Sequence, residues 1–102
     1  MWWHLLGVAK LHLGADEEAV ALFRRSIDNN RNYPLSQLYS AAALALLGRL
    51  DEARAETKSA LTIAPHYSLA RFRNFAESDN PVFLRQRERI AEGLRKAGIP
   101  EE

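Results

Sequence analysis

The chain has 102 residues, 47% of them apolar and 26% charged, with a net charge of +1. That length allows one domain with a modest core, and that charge provides no strong field to gather nucleic acid or anionic membrane. There is no cysteine, which excludes a disulfide scaffold, a thiolate zinc site and a cysteine nucleophile.

In chain order, residues 2–13, WWHLLGVAKLHL, read as an apolar helix ended by Gly14, which takes positive φ at no steric cost. No Ser, Thr, Asp or Asn precedes that helix as a cap, and Trp2 and Trp3 stand at its start. Asp16 predicts the cap of a second helix, with Glu17 and Glu18 favourably placed in its first turn. Ala19, Val20, Phe23 and Ile27 share one face of it. The stretch DNNRNYP breaks the pattern, and Pro34 opens a third helix that runs to Leu47 and stops at Gly48. Leu50 and Asp51 predict a hydrophobic lead-in and cap for a fourth helix, reaching Ile63 before Pro65. A short fifth helix is expected over residues 67–76. Asp79 or Asn80 then caps a sixth, with Pro81 just inside, and Gly98 and Pro100 stop it after Ala97. On this last helix Phe83, Ile90, Leu94 and Ala97 should face the core, and Arg85, Arg89, Glu92 and Lys96 the water.

No span of apolar residues approaches the roughly 20 that a membrane helix needs; the longest, Ala41 to Leu47, has seven. Lys10 and His12 interrupt the apolar start, and no basic segment precedes it, so no targeting signal is read there. The expected location is the cytoplasm.

An internal period is present. GADEEA at residues 14–19 and GRLDEA at residues 48–53 are thirty-four apart, which aligns Gly14 with Gly48, Glu18 with Glu52 and Ala19 with Ala53. Thirty-four residues per helix–turn–helix unit resembles the tetratricopeptide repeat. Trp3, Leu6 and Gly7 match the opening of its signature, with Lys10 in place of the tyrosine, and Ala19 and Phe23 match its middle. In the second unit Gly48, Ala53, Ala60 and Pro65 match, while Gln37 replaces the tryptophan and Thr57 the phenylalanine. The C-terminal third departs from the register, since Val82 stands where a glycine is expected. That third resembles the end of the repeat-containing tail on proteobacterial class III adenylate/guanylate cyclases, through Arg71-Phe72-Arg73, Arg87-Glu88-Arg89 and Gly93-Leu94-Arg95-Lys96-Ala97-Gly98.

The resemblance implies an all-α fold: a right-handed α-solenoid of antiparallel helix pairs, about six helices in all. The expected units are residues 1–33, 34–67 and a divergent cap at 68–102. It also implies a concave surface lined by His4, Leu5, Val8 and His12 from the first unit, and by Leu38, Tyr39, Ala42 and Leu46 from the second. Arg73 and Ala76 would come from the third. With Arg73 as its one cation, that groove lacks the basic set that clamps a peptide carboxylate; several of these residues read equally well as core.

The residues themselves show no catalytic constellation. His4 and His12 lie eight apart on one helix, too far to share a metal, and no glycine-rich phosphate loop is present. Serines are scattered without a local base, and Glu17 and Glu18 diverge as helix neighbours do. The arginines of RFR and RQRER alternate with acids, which argues against a nucleic-acid surface. No cofactor, metal or small-molecule substrate is expected.

A repeat unit buries its face against its neighbours, so Trp2 and Trp3 imply a missing partner. The expectation is a segment of a longer chain, the C-terminal regulatory tail of a bacterial signalling protein, acting in protein–protein interaction or oligomerisation. The alternatives are a short protein that covers this face by self-association, and a free-standing adaptor that docks a partner's peptide in the groove.

Overall fold

The computed structural model describes residues 2–74 and 80–102. They form six helices and no strand: α1 (Trp2–His12), α2 (Asp16–Asn29), α3 (Pro34–Leu46), α4 (Leu50–Ile63), α5 (Leu69–Asn74) and α6 (Pro81–Lys96). None is long and apolar enough to cross a membrane.

The turns carry the internal period. Gly14 and Gly48 both stand at φ 82°, the left-handed region that an L side chain resists. In each the backbone closes the same way: Ala15 N–H donates to the Lys10 carbonyl and Arg49 N–H to the Leu44 carbonyl, both at 2.9 Å. The helices that follow, α2 and α4, are each 14 residues long and begin thirty-four positions apart. Gly98 ends α6 in the same manner at φ 101°, with Ile99 N–H donating to Leu94. Open space surrounds the Cβ position at Gly48, so the constraint there is the backbone angle alone. Gly48→Ala is expected to cost about 1 kcal/mol in urea unfolding.

Two caps differ from expectation. α2 begins after Ala15 and α4 after Arg49, without a side-chain cap in either case. The glycine turn leads the chain directly into helical geometry, which places Asp16 and Asp51 inside the first turn, where they still complement the helix dipole. Asn80 does cap α6, accepting from Val82 and Phe83 N–H; Asp79 lies outside the described residues. The fifth helix starts at Leu69, not Tyr67, because the Ser68 hydroxyl accepts the Arg71 N–H at 3.2 Å and sets the boundary. Its expected end at Ala76 also lies outside the described residues.

At the centre is α3, packed by α2, α4 and α6. Its alanines 41–43 and Leu44 are almost wholly buried, since short side chains let three neighbours approach. Two glycines tighten the packing further. A Cβ at Gly7 would lie 2.8 Å from the Phe23 ring, and one at Gly93 would lie 2.7 Å from the Ala42 carbonyl oxygen.

α6 lies across α3 and also reaches α1. Phe83 stacks on His12 at 5.3 Å, and Arg89 binds both the Asp16 carboxylate and the Leu11 carbonyl. Arg89 stays exposed, as expected, while its guanidinium reaches Asp16, which is buried at the α1–α2 turn. The chain after Gly98 returns to α5, where the Pro100 and Glu101 carbonyls accept the Leu69 and Ala70 N–H groups at 2.9 and 3.0 Å. The described residues fill a nearly isotropic volume of 33 × 28 × 25 Å.

Candidate functional site

Between α1, α3, α5 and α6 lies a cleft of about 440 Å³. That is the size range of small-molecule sites. α1 contributes His4, Leu5, Val8 and His12 at helical spacing, and α3 contributes Leu35 and Tyr39 one turn apart. Tyr67 and Phe72 close one side, and Phe83 and Arg87 of α6 close the other.

Of the residues expected along a concave groove, His4, Leu5, Val8, His12 and Tyr39 come together here. Leu38 and Ala42 do not; they are buried in the core. Leu46 is half-buried beneath Gly93 of α6, so the α3 end of that surface is occupied by the chain's own helix. Arg73 points outward and pairs with Glu88 at 3.2 Å and Glu101 at 3.6 Å.

Behind His4 runs a buried polar chain. His4 Nδ1 is 2.8 Å from Ser36 Oγ, which is 2.6 Å from Ser26 Oγ, so one hydrogen-bonded chain ties α1, α3 and α2 together. No base beside a serine is visible in the sequence, because His4 and Ser36 lie 32 positions apart. Ser36 is completely buried. Burial lowers the His4 pKa to about 4, so the imidazole is neutral at physiological pH and a poor proton acceptor for the hydroxyl. Burial also lowers His12, partly offset by its hydrogen bond with Gln86.

These shifts have a sign. The folded pKa of His4 lies below its ordinary value of 6.5, so the unfolded chain binds the proton first as pH falls. The contribution is full above pH 6.5 and is lost progressively down to about pH 4. Thermal unfolding should show a loss of roughly 3 kcal/mol across that window from His4. His4→Gln should flatten the profile; an unchanged slope in that variant would refute the assignment.

Arg87 is the residue that sequence reading missed. It is only 9% exposed, and its guanidinium lies 3.7 Å over the Phe72 ring. Nη1 donates to the Tyr39 hydroxyl at 3.1 Å and Nη2 to the Phe72 carbonyl at 2.6 Å. The signal was present in the periodicity: Arg87 follows Phe83 by four and precedes Ile90 by three, so a cation sits within the apolar stripe of α6. Tyr67 and Phe72 were also missed, because nothing in the sequence couples them to α1. Burial raises the Tyr67 phenol above its ordinary value, so it stays a neutral donor.

Comparison of the chain with protein-family models, with curated proteins and with solved structures finds no match.

Proposed function

We propose that this chain is a protein–protein interaction or oligomerisation module built from tetratricopeptide-like units. In this reading α1–α2 and α3–α4 are successive antiparallel hairpins of a right-handed solenoid, and α5–α6 is a divergent cap. Supporting the arrangement are the matched positive-φ glycines and the equal lengths of α2 and α4 at a thirty-four-residue offset.

The observation that carries the functional reading is an apolar stripe on α1. Trp2 and Leu5 of α1, and Leu13 in the turn that follows it, are 67, 60 and 76% exposed, and with Ala9 they recur every three or four residues. Large apolar side chains aligned on one side of a helix mark a surface that another helix covers. Trp3, beside them, is partly covered and carries the Arg25 guanidinium over its ring at 4.8 Å. The proposed role is that of a regulatory tail in the cytoplasm that brings the subunits of a bacterial signalling protein together. A class III nucleotide cyclase is the proposed parent: its active site forms between two catalytic domains, so a pairing tail assists catalysis without performing it.

Sedimentation of the chain tests the reading. The wild type should sediment as an oligomer, and Trp2→Lys with Leu13→Lys should sediment as a monomer with unchanged helical circular dichroism. A monomeric wild type at millimolar concentration would overturn self-association through α1. The adaptor reading needs an open groove and is weakened by α6, which covers Ala42 and Leu46.

A further inference from the structure

We propose that the cleft beneath α6 is a binding site for a small amphipathic organic acid, its carboxylate held by Arg87 and Tyr39 and its apolar body enclosed by Leu5, Val8, Phe72 and Phe83. The cleft shares Leu5 with the α1 stripe but not its polar end, Arg87 and Tyr39, so acid binding and pairing between subunits are read by different measurements.

The argument starts from where the positive charge is left. Seven arginines, at positions 24, 31, 49, 54, 73, 89 and 95, have a carboxylate within ion-pair distance. All seven have side chains at least 35% exposed. Arg87, the most buried arginine, has no carboxylate partner among the described residues. Its two hydrogen bonds go to neutral oxygens, and its buried Nε–H has no acceptor. A buried cation without a counter-charge is costly, and a buried donor without an acceptor adds to that cost. A structural staple between α6, α3 and α5 accounts for Nη1 and Nη2 but leaves both Nε and the net charge unanswered.

The cleft around Arg87 defines the missing partner. None of its lining residues is acidic, and both of its histidines are held toward the neutral form, so Arg87 is its charged group at neutral pH. The Tyr39 hydroxyl accepts from Arg87 and therefore still has its own proton to donate. An arginine beside a phenol that can still donate suits a carboxylate. The other walls are apolar or aromatic, which suits a hydrocarbon body rather than a sugar or nucleotide. A volume near 440 Å³ favours a compact acid over an extended peptide.

The test titrates 4-phenylbutyrate, its neutral amide and a hexapeptide with a free C-terminal phenylalanine into the full chain. Heteronuclear NMR would follow the Arg87 Nε–H signal and the α1 amides. The expected result is saturable binding of the acid that shifts Arg87, with the amide weaker by about tenfold or more, as the loss of a charge-assisted contact implies. Arg87→Met should abolish the preference for acid over amide. Should that variant not fold, the acid–amide comparison on the wild type still decides. Equal binding of acid and amide, no binding of either, or shifts mapping away from Arg87 would overturn the proposal. Tighter binding of the peptide than of the acid would also overturn it, by assigning the cleft to a protein terminus.

Discussion

Phe23→Ala is expected to remove about 3–5 kcal/mol of folding stability, the largest loss from any single side chain here. Phe23 has no exposed surface. It lies beneath Gly7 of α1, tilts against the His4 ring at 5.7 Å and stacks on Tyr39 of α3 at 5.9 Å. The ring is thus the common filling between three helices, and no side chain can collapse into its place. Gly7 has no side chain to fill the void, and His4 is fixed by Ser36. A domain of this size unfolds with roughly 5–15 kcal/mol, so the melting temperature should fall by about 15–30 °C. Differential scanning calorimetry checks it. A drop of only a few degrees would mean that α1 slides inward and that its register on α2 is looser than described.

The second large effect is expected at Gly93. In an exposed helix, replacing glycine with alanine gains about 1 kcal/mol. Here the added methyl would meet the backbone oxygen of Ala42 at 2.7 Å, and Leu46 Cγ at 3.0 Å. α3 cannot retreat, because α2 and α4 pack against it. α6 must therefore lift away, and Arg87 loses its reach to Tyr39 and Phe72. Gly93→Val is expected to cost about 3 kcal/mol, and Gly93→Ala somewhat less. Urea unfolding gives the magnitude, and faster amide exchange in α6 would give the location. Stabilisation by Gly93→Ala would show that α6 does not lie against α3 this closely.

Much of the fold is legible one helix at a time. Gly14, Gly48 and Gly98 mark ends because only glycine takes the angle needed there, and Pro34 and Pro81 mark starts because ring geometry suits a first turn. The apolar face of α2, from Ala19 to Ile27, is visible for the same local reason. The candidate site is legible on the α1 side, where His4, Leu5, Val8 and His12 follow helical spacing, and at Tyr39 of α3. Its other half depends on where α6 comes to rest. That docking is set by one small residue, Gly93, over one backbone oxygen, and a backbone oxygen leaves no trace in a sequence. The His4–Ser36 pair and the Arg89–Asp16 pair are hidden likewise, since each joins residues separated by several helices or turns. Arg87 is a different case. Its position inside an apolar stripe was readable, but a cation in a run of arginines passes for surface.

The return of the chain to α5 bears on the order of assembly. The opening N–H groups of that helix find their acceptors at Pro100 and Glu101, thirty-one residues further along the chain. Its 6 described residues are too few to persist as a helix unaided. During synthesis the opening N–H groups of α5 can meet these acceptors only after residues 100 and 101 have been made, later than any contact within α1 to α4. Clipping residues 99–102 should melt α5 while α1 to α4 hold, which makes the corner the first place where a protease gains entry.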